Sequence, residues 1–197
     1  TAFRPPLYPW LLGGLFSIFG ENYRVVRVVQ AVIGALGCVA LAGVGARLVG
    51  RRTGLAAGAL LAVYPFAVYF TNEVMTETLY TTLIAAALYL ALRAWFEPGP
   101  RTAVAAGLVS GLAALCRPHA LAFVAILVVA LWSAWRRGDV PRARSAAIAV
   151  LVTGLVIMPW CVRNSVLFGR PVFLTTYAGL NLYKGLPDKD NRSSLPD

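Results

Sequence analysis

Long apolar runs constrain this chain more than any other feature. A helix needs about 20 apolar residues to cross the hydrocarbon core of a bilayer, and Val25–Leu48 supplies them alone. Thr53–Phe70, Leu79–Trp95, Thr102–Leu115, Leu121–Trp135 and Ala146–Trp160 follow as further runs. Of the residues, 59% are hydrophobic and 13% charged, whereas a soluble domain is near half apolar and a quarter charged. The expectation is an all-α, polytopic transmembrane helical bundle.

Charge between the runs sets their direction. Arg47, Arg51 and Arg52 follow the first run, "RAWFEPGPR" precedes the fourth, and "RRGDVPRARS" precedes the last. The connections between those basic ones are acidic or nearly neutral, as in "TNEVMTET". Cytoplasmic loops carry the excess of Lys and Arg, which places Arg47–Arg52, Arg93–Arg101 and Arg136–Arg144 in the cytoplasm. Segments 1–24, 71–78, 116–120 and 161–197 then lie on the opposite face. Thr102–Trp135 as one helix would run about 50 Å at ~1.5 Å per residue, well beyond a core of about 30 Å. It would also put two basic loops on opposite sides. A break at Arg117-Pro118 makes it a hairpin. The count becomes six transmembrane segments with one interfacial helix at Pro9–Phe19.

The balance of 18 Lys plus Arg against 8 acids, a net charge of +10, would point to nucleic acid in a soluble chain. Here the arginines sit mostly at the ends of apolar runs. Membrane topology and anionic lipid head groups explain them, so nucleic acid is not an expected partner. Cys38, Cys116 and Cys161 lie in or beside apolar runs and read as small buried hydrophobes. The missing initiator Met and the ending "NRSSLPD" lead to the expectation that residues 1–197 are part of one transmembrane domain cut from a longer chain.

The outer face holds bases that topology does not ask for: Arg4, Arg24, Arg27, Arg117, Arg163 and Arg170. An anionic ligand at the membrane surface is the simplest reason. Arg24, Arg27 and Gln30 recur every three residues as one helical stripe, either snorkelling to head groups or guiding a phosphate. Arg117 stands between two apolar arms, and a cation at mid-membrane costs ~2.5–3.5 kcal/mol. It therefore faces a cavity or a partner, or sits at a hairpin tip at the water line. Glu73 and Glu77 share a face at i, i+4, and an acid in a first helical turn also favours the dipole. His119, the only histidine, reads as a polar cap rather than a metal ligand. Beyond Trp160, an interface anchor, come Arg163, Asn164, Arg170, Asn181 and Tyr183 as further substrate-side candidates.

Four stretches in order carry a resemblance: "FRPPLYPWLLGGLFSIFG", "NEVMTETLY", "GLAALCRPHALAF" and "MPWCVRNSVLFGRPVFLTTYAGLNLYKG". Together they resemble bacterial membrane glycosyltransferases of the GT-C fold, of the dolichyl-phosphate-mannose-protein mannosyltransferase and aminoarabinose transferase type. The resemblance implies transfer of a sugar from a polyprenyl-phosphate donor to a lipid, protein or glycan acceptor at the periplasmic face of the inner membrane. It also implies a catalytic Asp in a loop upstream of the Pro-Pro motif, so residues 1–197 would lack that base. Arg4 would bind the carrier phosphate together with Arg24, Arg27 and Arg117, and Glu77 would line the active site as its catalytic acid. His119 departs from the pattern, in which an acid commonly follows the Arg-Pro. No cofactor is implied, and a divalent metal stays open. Two rivals differ in class. Another carrier-lipid enzyme of surface polysaccharide assembly would use the same face. A transporter subunit would want polar residues at several helix centres, which here are apolar.

Overall fold

The computed structural model describes residues 5–169, 171–172 and 174–175. Among them are eight α-helices, one 3-10 turn and no strand. The helices are α1 (Leu7–Phe19), α2 (Tyr23–Leu48), α3 (Arg51–Val63), α4 (Pro65–Asn72), α5 (Glu77–Phe96), α6 (Pro100–Cys116), α7 (Leu121–Arg136) and α8 (Val140–Phe168).

Caps and prolines set the boundaries. The Asn22 side chain accepts from the Arg24 N–H at 3.0 Å and starts α2; Asp139 does the same for Arg142 at the start of α8. Gly169, at φ 62°, ends α8 in the left-handed region that glycine tolerates best. A residue before proline is pushed out of the helical region, and both internal breaks follow this rule. Tyr64 is extended before Pro65, so α3 and α4 meet at 53°. Arg117 is extended before Pro118, and the 3-10 turn Pro118–Ala120 then leads into α7.

Four helical stretches are long and apolar enough to cross a membrane: α2, α5, α8, and α7 together with its leading turn. The bent α3–α4 pair makes up to five. α6, the remaining run counted as a span in the sequence, has 17 residues and would rise only about 26 Å. α1, with 13 residues, is too short to cross.

α6 is the hub and packs between α5 and α8. Its small residues permit this. A Cβ on Gly107 would lie 2.6 Å from the Ala149 carbonyl oxygen, and one on Gly111 2.6 Å from Val156 Cβ. Backbones this close give the dense van der Waals contact that holds membrane helices together where lipid supplies no hydrophobic drive. Thr153 adds a hydroxyl bond to the Gly107 carbonyl at 3.1 Å. The α2–α3 contact uses the same device, with the Gly54 Cβ position 2.3 Å from the Ala42 oxygen.

The helix ends sort by charge as the sequence directs. At one end Arg47 bridges Glu97 at 3.1 Å, Arg93 approaches the same carboxylate at 3.6 Å, and Arg142 pairs with Asp139. The ends of α2, α5 and α8 that carry these residues gather the basic connections. The opposite end gathers Gln30, Glu73, Thr76, Glu77 and Arg117.

Candidate active site

α5 begins at Glu77, and α6 ends at Cys116, with Arg117 as its extended cap. Because α5 and α6 pack together with opposite direction, these two ends meet. The Arg117 guanidinium forms an ion pair with Glu77, its Nη2 donating to Oε1, and its Nε donates to Thr76 Oγ1 at 2.8 Å. The Tyr80 ring lies under it, 5.6 Å from Cζ to the centroid. The side chains are 35% and 26% exposed, so the pair is neither sealed in the core nor free in solvent. Guanidinium has five N–H donors in a plane. Two are engaged here, which leaves Nη1 and one Nη2 hydrogen able to receive an anion.

A second constellation pins the neighbouring loop. The Gln30 side chain, 1% exposed, accepts from the Tyr8 hydroxyl at 2.5 Å. It donates to the Thr71 and Glu73 carbonyls at 3.0 and 2.7 Å. Burial, with the charge of Glu77 adding to it, pushes the Tyr8 phenol up to about 12, so it stays a donor at neutral pH. Arg27 Nε donates to the Asn72 carbonyl at 3.0 Å. Three elements, α1, α2 and α4, are thereby tied to Glu73, where the connection that leads to Glu77 and α5 begins.

Beside this loop an apolar cavity of about 640 Å³ lies among α2, α3, α4 and α5. Ala31, Gly34, Cys38, Leu61 and Phe66 are among its walls, and Glu77, Thr78, Thr81 and Thr82 form its polar edge. Glu77, the acidic partner of the ion pair, therefore borders a largely apolar space.

The structure groups some of the sequence candidates and separates others. Glu77 and Arg117 come together. Gln30 leaves the Arg24–Arg27 stripe to become a buried tie, Arg27 holds the loop backbone, and Arg24 is exposed. Glu73 takes part through its carbonyl. His119 is exposed in the 3-10 turn. Arg163 lies over the Trp160 ring at 4.8 Å and bonds Asn164 at 3.4 Å. Asn164 is fully buried, and among the described residues its Nδ2 has no hydrogen-bond partner. Arg4, Arg170, Asn181 and Tyr183 lie outside the described residues. Among the described residues no three His, Cys, Asp or Glu side chains converge as a metal cluster would. Tyr8, Thr76 and Tyr80 join the site without any cue in the sequence, since such residue types are ordinary in any helix start.

Comparison with known proteins gives one family. The family model described as dolichyl-phosphate-mannose-protein mannosyltransferase matches residues 3–162, which takes in α1 through most of α8. No curated protein and no solved structure is matched.

Proposed function

The chain belongs to the dolichyl-phosphate-mannose-protein mannosyltransferase family and is a membrane glycosyltransferase of the GT-C type, and from that premise we propose its donor, acceptor and working face. The donor is a polyprenyl-phosphate sugar. The acceptor is a hydroxyl of a lipid, protein or glycan. The working face is the Glu77–Arg117 end, on the periplasmic side of a bacterial inner membrane.

One observation carries this reading: Glu77, which pairs with Arg117, lines an apolar cavity that lies among membrane helices. A polyprenyl phosphate is an amphiphile of that kind, an anion on a hydrocarbon chain. The chain would occupy the cavity and the phosphate would meet Arg117. In the transfer, the acceptor oxygen attacks the anomeric carbon, the bond from that carbon to the phosphate oxygen breaks, and the acceptor proton passes to a base. Cations that meet charge developing on the leaving phosphate lower the barrier, and arginine's fork suits phosphate oxygens. Arg117 takes that role, with Arg24 and Arg27 as its helpers on the same face and Arg4 assigned with them by the family resemblance. Glu77 is the catalytic acid in the family sense: its carboxylate orients the acceptor hydroxyl or a divalent cation beside the sugar.

The test is sugar transfer by the purified enzyme from a radiolabelled polyprenyl-phosphate sugar. The proposal expects release of free polyprenyl phosphate, with Arg117→Ala raising the KM for the carrier by about tenfold or more. Transfer from a nucleotide sugar with none from the lipid-linked donor would overturn it.

A further inference from the structure

A second cavity, of about 240 Å³, lies in the half of the bundle that carries the basic connections. α5 forms one wall through Leu88, Ala91 and Trp95, and α7 forms the other through Phe123, Ile126 and Ala130. Its floor is made of Ala106 on α6 and Ala149 on α8, which are 0% and 3% exposed. The space therefore enters between the helices rather than following their outer surface. Its rim is open to the surroundings, since Ile126 is 61% exposed.

The mouth is charged. Arg142 lines the cavity, lies 5.5 Å from the Trp95 ring centroid and donates from Nε to the Trp95 carbonyl at 2.9 Å. Its pairing with Asp139 does not neutralise the region, because the connection "RRGDVPRARS" holds four arginines against that single acid. Arg136, Arg137 and Arg144 on the same connection are exposed. An apolar slot with a net positive rim matches one class of molecule present in every membrane: a lipid with an acyl chain and an anionic head group. Juxtamembrane bases attract such lipids by about 1 kcal/mol each.

We propose that the α5–α7 cleft is a binding site for one anionic phospholipid, its acyl chain lying against Ala106 and Ala149 and its phosphate at Arg142. The site is separate from the Glu77–Arg117 end and does not depend on the donor proposed for it. A lipid seated there wedges α5 against α7 and steadies the bundle from the side opposite the polar site.

The experiment is lipid retention. The whole protein is extracted in mild detergent, exchanged into nanodiscs of phosphatidylglycerol and phosphatidylcholine in equal parts, re-extracted, and weighed by native mass spectrometry. One phosphatidylglycerol retained per chain, ~fivefold in excess over phosphatidylcholine, is expected. Ala91→Leu, which fills the slot, should remove most of the retained lipid. Arg142→Gln should keep the lipid but lose the head-group preference. A thermal unfolding scan confirms that each variant folds, and an unchanged head-group preference in Arg142→Gln would overturn the placement of the phosphate. Equal retention of both lipids by the parent, or retention by Ala91→Leu equal to the parent, would overturn the site.

Discussion

Replacing Glu77 by Gln separates two roles for the same carboxylate. As a structural tie, Glu77 closes the gap between the start of α5 and the cap of α6 and adds charge to a first helical turn. Exposed pairs contribute about 0.2–1 kcal/mol, while breaking a buried pair costs about 3–5 kcal/mol. With 35% and 26% of the side chains exposed, the expected loss lies between, at about 1–2 kcal/mol. Gln can still accept the Arg117 hydrogen bond, which keeps the figure at the low end. As a catalytic group, Glu77 should instead cost turnover: loss of acid–base or positioning help is worth ~100-fold or more, near 3 kcal/mol of barrier. The assay pairs a thermal unfolding scan with transfer from a polyprenyl-phosphate sugar, with Glu97→Gln at the far end as the control. The expected result is a folded protein with turnover down about 100-fold. If Arg117 and Glu77 act as one unit, the variant lacking both charges should be no slower than the worse single variant. Turnover above about half of the parent in Glu77→Gln would refute the catalytic role and leave only the tie.

Three further outcomes follow from the packing and charge. Gln30→Leu removes one buried and two partly buried hydrogen bonds and strands the Tyr8 hydroxyl, so stability to denaturant should fall by about 3 kcal/mol. Gly107→Ala puts a methyl 2.6 Å from the Ala149 oxygen and should cost about 1–3 kcal/mol, whereas Gly154→Ala meets nothing within 4 Å and should be neutral or stabilising in the same unfolding scan. The Arg47 hydrogen bond holds the Glu97 carboxyl below its usual range. Its contribution is present above the ordinary glutamate value and is lost as pH falls through the lowered one. The difference in unfolding midpoint between parent and Glu97→Gln should therefore shrink on acidification.

The sequence specified more of the helices than of the site. The Arg117-Pro118 signal gave the break between α6 and α7, because the physics is local: a proline and the length of a bilayer. The bend at Tyr64-Pro65 carries the same local signal, but the apolar run continues through it, and hydropathy alone reads Thr53–Phe70 as one span. α8 runs on to Phe168 beyond Trp160, since Pro159 sits inside it without ending it. Arg117 stands out in sequence as a base without a topological reason, and Glu77 as an acid spaced four residues from Glu73. Their pairing does not, because it depends on how α5 packs on α6, 40 residues apart in the chain. Gln30 was grouped with Arg24 by spacing, yet its amide is buried and fully bonded. A polar side chain in an apolar helix must find partners, and two of the three, the Thr71 and Glu73 carbonyls at the end of α4, carry no side-chain signature.

In the proposed complex the carrier's hydrocarbon chain lies in the α2–α5 cavity with its phosphate at Arg117. Photo-crosslinking tests it most directly: a polyprenyl phosphate with a diazirine near the phosphate is irradiated on the whole enzyme, and the labelled peptides are sequenced. The account predicts label within residues 61–82 and around 117, lost in Arg117→Ala and competed away by unlabelled polyprenyl phosphate. Competable label confined to residues 136–149, at the basic end, would contradict it.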